Sequence, residues 1–247
     1  MIKKILISQP RPTTERSPYF DIAKKHGVEL VFHPFIRVEG LSAREFRAQK
    51  VNVLSHTAVV FTSRHAIDNF FMLCKEMRVA IPDGMKYFAV SEAISLYIQK
   101  YVQYRKRKVF FGDTGKMADL MPQILKHKNE KYFIPQSDVH STEFTDLLDA
   151  KGISYSSGVM YRTVSNDFTE DEAFDYDMLI FFSPSGIQSL LKNFPNYQQG
   201  ETAIATFGPA TAKSVTDAGL RLDLQAPTPE YPSITAALDA YLKQHNG

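Results

Sequence analysis

The sequence predicts an α/β protein with parallel sheets, and two observations lead to this prediction. Short apolar runs of strand length alternate with amphipathic helical patterns along nearly the whole chain. This alternation is typical of parallel strands that are joined by crossover helices. The chain also repeats itself, which indicates two similar α/β units.

Six apolar runs are predicted to form strands that are buried on both faces. They are Ile5–Ile7, Ala58–Phe61, Tyr87–Val90, Tyr132–Ile134, Met178–Phe182 and Ile204–Phe207. Helical patterns follow most of these runs, and three of them are Ile67–Cys74, Phe144–Leu148 and Ile187–Leu191.

The internal repeats have two kinds of segment. The first kind (A1, residues 5–38; A2, residues 132–164) reads strand, polar turn, helix, glycine and strand, with Gly27 and Gly152 in matching places. The second kind (B1, residues 59–98; B2, residues 179–215) contains two successive strand-turn-helix patterns. Their order is A1, B1, A2, B2. We favour a duplication, although any parallel α/β protein resembles itself to some extent.

Two extended segments end the A segments and are candidate connections between domains. They are Pro34–Val38 and Val159–Val164. With these connections, A1 and B2 would form one domain, and B1 and A2 would form the other. Periodicity alone does not establish this pairing.

Composition excludes several classes of protein. The 247 residues carry a net charge of +2, which gives no field strong enough to indicate nucleic-acid binding. Cys74 is the single cysteine, so an internal disulfide and a cysteine zinc site are excluded. No apolar run has the length of a signal peptide core or a membrane span. We therefore expect a soluble, cytoplasmic protein.

The turns that follow the predicted strands are the candidate ligand site, because ligands of open parallel sheets bind at the carboxyl ends of the strands. These turns span residues 9–14, 62–65, 91–94, 136–140, 183–186 and 208–211. They are rich in Ser, Thr, Gly and Pro and lead into helix N-termini, which bind anions. Six such turns at the carboxyl ends of parallel strands suit a ligand with several carboxylates. The alternative is that Ser63 and Ser185 are ordinary helix caps.

Other chemistries have no motif here. The chain lacks a dinucleotide fingerprint, a phosphate loop and a G-x-S-x-G elbow, and its histidines show no metal-ligand spacing. We therefore expect no cofactor and no metal. The basic run Arg105–Lys108 is interpreted as a solvated loop or strand edge, or alternatively as a patch that attracts an anionic substrate.

Three motifs near the C-terminus resemble those of uroporphyrinogen-III synthases. They are FFSPSGIQSLL (181–191), IATFGPATAKSVTDAGL (204–220) and QAPTPEYPSITAAL (225–238). FTSRHAIDNF (61–70) is similar to the family's Thr-Ser-x-Asn-Ala-Val turn, with His65 in place of asparagine, and residues 159–163 are similar to its Val-Tyr-x-Thr segment. The resemblance covers nearly the whole chain.

The resemblance implies two flavodoxin-like domains with parallel sheets, joined by a two-strand linker, with the active cleft between them. The first domain would contain residues 1–34 and 166–247, and the second residues 39–160, with linkers at about 35–38 and 161–165. The implied activity is a cofactor-free lyase reaction of tetrapyrrole biosynthesis. Hydroxymethylbilane loses its hydroxyl as water and closes into a ring with the last pyrrole inverted.

The resemblance also implies site residues. Tyr161 occupies the position of the family's tyrosine and is the candidate catalytic residue, as a proton donor or as a group that orients the bilane. The candidate substrate-binding residues are Arg11, Thr62, Ser63, Arg64, Ser91, Ser137, Arg162, Ser183, Ser185, Gly186, Gly208, Ala210 and Thr211. Arg11 and Arg162 are included because a guanidinium suits carboxylates.

Three turns depart from the family pattern. The family's Val-Gly-x-x-Thr-Ala in the second domain is replaced by Val90-Ser91-Glu92-Ala93-Ile94, and Glu92 would repel a carboxylate. The usual Arg-Gly start of the A2 turn is Pro135-Gln136-Ser137, and Ala210 replaces the first of two paired threonines.

Three other functions compete with the synthase. A non-catalytic two-lobed protein that binds an anionic small molecule would also tolerate the departures near Glu92. A response-regulator-like domain lacks support because Gln9-Pro10-Arg11, and no acidic pair, follows the first strand. Nucleic-acid binding rests on residues 105–108 alone. We expect a monomer.

Overall fold

The computed structural model of the protein describes residues 1–168 and 174–246. The strands are β1 Lys4–Ile7, β2 Glu29–Phe32, β3 Ile36–Gly40, β4 Ala58–Phe61, β5 Lys86–Ala89, β6 Val109–Phe111, β7 Tyr132–Ser137, β8 Tyr155–Ser165, β9 Met178–Phe181, β10 Ala203–Phe207 and β11 Leu224–Ala226. The α-helices are α1 Pro18–His26, α2 Ala43–Ala48, α3 Arg64–Glu76, α4 Glu92–Tyr97, α5 Met117–Lys126, α6 Glu143–Ala150, α7 Pro184–Asn193, α8 Pro209–Asp217 and α9 Ile234–Asn246.

The chain forms two compact units. Met1–Arg37 and the described part of Val164–Gly247 make up the first unit, and Val38–Thr163 makes up the second. The chain passes from one unit to the other twice, once within β3 and once within β8.

The first unit contains a five-stranded sheet in the order β2-β1-β9-β10-β11, and every neighbouring pair is parallel. Numbered along the unit, this is the flavodoxin-like order 2-1-3-4-5. Ile5 and Ile7 face a core with α1 and α9, whereas Leu6 faces a core with α7 and α8. The sheet is therefore covered on both faces, which explains its continuous apolar strands.

The second unit contains a six-stranded sheet in the order β3-β8-β7-β4-β5-β6. The pairs from β8 to β6 are all parallel. If β7 and β8 are numbered 1 and 2, and β4, β5 and β6 are numbered 3, 4 and 5, these five strands also have the order 2-1-3-4-5. Val59 and Phe61 pack against α2 and α3, and Val60 packs against α5 and α6. The predicted α/β class with parallel sheets is confirmed.

The repeated glycines have the same backbone role in both units. Gly27 follows α1 with φ of +64°, and Gly152 follows α6 with φ of +63°. Both lie in the left-handed region, where glycine carries no steric penalty. Each glycine thus ends a helix and turns the chain into the next strand of its A segment.

None of the described helices has the length and apolarity that crossing a membrane requires.

Candidate active site

A cavity of about 240 Å³ lies at the carboxyl ends of β4 and β7 in the second unit. We call it the Tyr161 cavity. Its lining residues are Thr62, Ser63, Met117, Ile134, Gln136, Ser137, Val139, His140, Ser141, Glu143, Phe144 and Tyr161. Four of the predicted site residues, Thr62, Ser63, Ser137 and Tyr161, are thus brought together.

Tyr161 lies on β8 and is 8% exposed. Its phenol oxygen is 3.4 Å from Oγ of Ser63. Ser63 is the N-cap of α3, and its Oγ accepts a hydrogen bond of 3.1 Å from the Ala66 N–H. The predicted capping role of Ser63 is confirmed. The helix cap therefore fixes the hydroxyl that contacts the phenol.

The turn after β7 is anchored to β8 beside Tyr161. The Asp138 N–H donates to the carbonyl oxygen of Tyr161 at 3.0 Å, and the Thr163 N–H donates to Oδ1 of Asp138 at 3.2 Å. Oδ1 of Asp138 also accepts from Oγ of Ser137 and from the Val139 N–H, both at 2.9 Å. Burial opposes the ionisation of Asp138, but these hydrogen bonds outweigh it and lower the pKa of the carboxyl.

His140 is exposed on the same turn, and sequence reasoning did not single it out. Its Nδ1 lies 2.8 Å from the carbonyl oxygen of Ser137. Because a carbonyl can only accept, Nδ1 carries the hydrogen. Its place in the turn after β7 was the signal that could have identified it.

Arg64 is the first residue of α3 and is exposed. Its guanidinium carbon lies 5.2 Å from the ring centroid of Tyr97. The Tyr97 hydroxyl donates to Oδ2 of Asp68 at 2.9 Å, which holds the ring in place. Tyr97 thus provides a stacking surface for Arg64.

Ser91 is the N-cap of α4, and its Oγ accepts from the Ile94 N–H at 3.4 Å. Glu92 follows directly, in the first turn of the helix. Ser91 does not line the Tyr161 cavity. Its hydroxyl is already engaged by the helix, and Glu92 adds a negative charge beside it.

Arg162 does not line the Tyr161 cavity. Its guanidinium pairs with Glu39 at 2.6 Å and with Glu45 at 2.7 Å, beside a separate cavity of about 760 Å³ in the second unit. Hydrogen bonds from Ser42, together with Arg162, lower the pKa of Glu45 to about 2. Neighbouring residues of a strand point to opposite faces, which explains the separation from Tyr161.

The Ser-Pro-Ser-Gly turn of the first unit begins α7. Ser183 is the N-cap, and its Oγ accepts from the Gly186 N–H at 3.3 Å, so the prediction that Ser185 is a cap is wrong. Ser183 has the extended backbone that a cap requires, with Pro184 as the first helical residue. A Cβ on Gly186 would lie 3.1 Å from the ring of Phe181. The glycine therefore allows the helix to pack closely on β9.

The Gly-Pro-Ala-Thr turn of the first unit begins α8. Gly208 has φ of +96°, and its N–H donates to the carbonyl oxygen of Ala226 at 2.6 Å. In the described ranges, no side chain caps the first turn of this helix. Ala210 is exposed there, whereas Thr211 is 2% exposed. Backbone N–H groups at such an end can receive an anion.

Arg11 lies in the loop after β1 and is exposed. Its guanidinium carbon is 5.2 Å from the ring centroid of Phe20 on α1. The permanent charge of Arg11 thus lies on the turn that corresponds to the His140 turn of the second unit.

The basic run Arg105–Lys108 directly precedes β6, so it lies at the amino ends of the strands. Arg105 and Lys108 both pair with Asp83, at 3.4 Å and 3.2 Å. The run is therefore at the sheet edge opposite to the Tyr161 cavity. A loop before a strand opens to that edge, so the run does not contribute to the Tyr161 cavity, and its attraction of an anionic substrate stays a prediction.

Across residues 1–168 and 174–246, no group of three His, Cys, Asp or Glu side chains has the geometry of a metal site.

A family model described as Uroporphyrinogen-III synthase HemD matches residues 18–236. Among solved structures, the uroporphyrinogen-III synthetase from Helicobacter pylori 26695 has a TM-score of 0.61 at 14% identity, covering 98% of this chain and 100% of that one. A mutant uroporphyrinogen III synthase from Thermus thermophilus has a TM-score of 0.52 at 13% identity, with 98% of both chains covered. At these identities the structural likeness concerns the fold. A comparison with curated proteins finds no match.

Proposed function

This chain is a member of the uroporphyrinogen-III synthase family, and we propose that it cyclises hydroxymethylbilane with inversion of the last pyrrole ring and loss of water. The observation that supports this most directly is the placement of Tyr161. Its phenol lies at a cavity in contact with Ser63, at the carboxyl ends of parallel strands.

Tyr161 is proposed to donate a hydrogen bond to the hydroxyl that leaves the bilane. A phenolic O–H is a hydrogen-bond donor, so it can donate to a developing leaving group. The contact with Ser63 and the anchored turn at Asp138 hold the phenol in one place. A preorganised donor stabilises charge on the leaving oxygen without a further ordering cost.

The acidic arms of the bilane are proposed to bind at the helix N-termini and the exposed arginines. In the first unit the candidates are Arg11, Ser183, Ser185, Gly186, Gly208, Ala210 and Thr211. In the second unit they are Arg64, Ser91 and Arg162. The other candidates of that unit line the Tyr161 cavity and are proposed to contact the reacting part of the bilane; they are Thr62, Ser63 and Ser137. Arg162 and Ser91 rank lowest because Glu39, Glu45 and the α4 cap already engage them.

The proposed reaction removes water and forms a carbon–carbon bond without electron transfer. It therefore needs neither a redox cofactor nor a metal, and we propose a cofactor-free lyase. Because the bilane also cyclises unaided to the uninverted isomer, the main task is to hold the folded conformation that leads to inversion. We further propose a cytoplasmic monomer.

An isomer assay tests this function. Purified protein is given freshly generated hydroxymethylbilane, the products are oxidised, and type I and type III porphyrins are separated. Predominant type III is expected. Type I alone, at the uncatalysed rate, would contradict the synthase and leave a two-lobed binding protein for an anionic small molecule.

Tyr161→Phe tests the role of the phenol. Loss of one preorganised donor is expected to lower kcat about 10²-fold. Tyr155→Phe is the matched control, because Tyr155 lies on the same strand but donates to Asp149 and does not line the cavity. Equal activity of the two variants would remove Tyr161 from the mechanism.

A further inference from the structure

The Tyr161 cavity has an unusual set of charged groups for a protein whose ligand is a polyanion. Among its lining residues there is neither lysine nor arginine; the ionisable side chains are His140, Glu143 and Tyr161. Asp138 adds a second carboxylate on the same turn, with a lowered pKa that keeps it charged. Two carboxylates would repel a carboxylate arm, so this cavity suits a different part of the substrate.

The imidazole of His140 is oriented by its own turn. Nδ1–H donates to the Ser137 carbonyl, which leaves Nε2 as the nitrogen with no protein partner in the described chain. The turn is tied to the backbone of Tyr161 through the Asp138 N–H. His140 and Tyr161 are therefore held at one cavity by the same set of hydrogen bonds.

We propose that His140 is a catalytic acid of this chain, whose Nε2 proton is transferred to the hydroxyl that leaves hydroxymethylbilane. This inference rests on the proposed function. Tyr161 then orients the leaving oxygen through a hydrogen bond, and His140 supplies the proton.

The proton transfer balances over one turnover. The carbon–oxygen bond of the hydroxymethyl group breaks, and its electron pair leaves on oxygen, which takes the proton from Nε2 and departs as water. The carbon that remains is electron-poor and is attacked by the last pyrrole. For inversion, the attack comes from the α-carbon that already bears the bridge to the preceding ring; this bridge bond then breaks and re-forms at the free α-carbon of the same pyrrole. That carbon loses its proton when the ring regains aromaticity, and the proton returns to Nε2.

The surroundings suit this role better than a binding role. An imidazole exchanges its proton near neutral pH, whereas a phenol does so only in alkaline solution. Glu143 on α6 lines the same cavity, and Asp138 lies on the same turn as His140. On α3, His65 is a further titratable side chain near the cavity, with its ring centroid 6.5 Å from that of Tyr161. The same carboxylates stabilise the electron-poor carbon that the departing water leaves behind.

Two substitutions separate proton transfer from positioning. His140→Asn keeps a donor for the Ser137 carbonyl and removes the second ring nitrogen. His140→Gln places an amide near the position of Nε2, which can donate a hydrogen bond but cannot release a proton. His245→Gln is the matched control, because His245 is also exposed and its Nδ1 also donates to a backbone carbonyl, at 2.8 Å.

Both His140 variants are expected to lower kcat about 10²-fold, the usual contribution of a general acid, with KM changed less than threefold. The share of type I porphyrin rises because unaided cyclisation competes. Wild-type kcat is expected to fall as pH rises, because a general acid that has lost its proton no longer protonates the leaving group. That fall is absent in His140→Gln.

The outcomes distinguish the two proposals. If the wild type makes type III porphyrin and His140→Gln keeps its kcat within threefold, the inference is overturned while the synthase stands. Retention of the pH-dependent fall in His140→Gln overturns it as well. If the wild type makes only type I, the synthase fails, and the inference with it. Circular dichroism of the variants, whose changed side chain is exposed, checks that they fold.

Discussion

The turns at Gly208 and Ser91 occupy corresponding places in the two units, each between a strand and a helix, yet they offer a ligand different groups. Ser91 has an extended backbone with φ of −150°, and its own hydroxyl accepts from the Ile94 N–H. Gly208 has φ of +96° and no side chain, so α8 starts without a side-chain cap. An anion can take the place of a cap only where the protein has not supplied one.

The charges beside the two turns strengthen the difference. Glu92 opens α4 with a carboxylate, which satisfies the positive end of the helix dipole. The first turn of α8 contains Pro209, Ala210 and Thr211 and no charge. The comparison favours a division of labour, in which the first unit binds more of the substrate carboxylates and the second unit supplies Tyr161 and His140 for proton chemistry.

Of the substitutions that test the difference between these two turns, Gly208→Ala is expected to have the largest effect. An added Cβ meets no atom within 4 Å, so the penalty is conformational. An L-residue in this backbone region costs about 1–3 kcal/mol of unfolding free energy. We also expect KM to rise, because relief of the strain moves the N–H groups of the turn.

Gly27→Ala is the control for Gly208→Ala. Gly27 also has a positive φ, of +64°, and an added Cβ would again meet no atom within 4 Å, but this glycine ends α1 and does not begin a helix. Urea unfolding should show a loss for both variants, and steady-state kinetics a raised KM for Gly208→Ala alone. A raised KM in both would trace the effect to stability.

The N-cap residues Ser63 and Ser183 provide a second comparison between the two units. Both accept an N–H of the first helical turn, so each Ser→Ala change should cost about 1 kcal/mol of unfolding free energy. Only Ser63 also contacts the hydroxyl of Tyr161. Ser63→Ala is therefore expected to lower kcat, and Ser183→Ala to raise KM. The same kinetic change in both variants would contradict the division of labour.

Much of the fold could be predicted because buried parallel strands leave continuous apolar runs. Each of the six predicted strands is present, as with Ala58–Phe61, and their order is that of parallel α/β units. Strands β6 and β11 were not predicted, because each has three residues and a short apolar run carries little signal. Helix α5 contains Pro122, which hides its pattern.

The candidate site could be predicted only in part. The rule that ligands bind after parallel strands placed Ser63 and Ser137 correctly at a cavity. It could not separate Tyr161 from Arg162, because adjacent strand residues face opposite ways and their sequence position is almost the same. It also could not show that Glu39 and Glu45 engage Arg162, since ion pairs between distant residues depend on tertiary contacts.

Glu92→Gln also tests the difference between the Ser91 and Gly208 turns, and its expected effect on KM is small. Removing a carboxylate from a helix N-terminus costs about 0.3–1 kcal/mol of helix stability, and the same field acts with opposite sign on a bound anion. If substrate carboxylates approach α4, KM falls by about two- to fivefold. An unchanged KM would mean that this turn takes no part in binding. Glu201→Gln, an exposed change in the first unit that lies outside the candidate site turns, is the control.

The smallest expected effect is a change in the unfolding free energy at acidic pH. The folded-state pKa of Asp138 lies below its unfolded value of about 3.9. Its carboxylate therefore contributes stability above about pH 4, and this contribution is lost as pH falls through the folded-state pKa. The corresponding turn of the first unit carries Arg11, which keeps its charge in acid.

Acid is thus expected to loosen the His140 turn before the Arg11 turn. The measurement is the unfolding free energy from urea titrations between about pH 5 and about pH 2.5, in the wild type and in Asp138→Asn. The wild type should lose stability more steeply in this window, and the two curves should converge at the acid end. Parallel curves would mean that the hydrogen bonds to Asp138 do not depend on its charge, and the anchoring of the cavity would then rest on backbone contacts alone.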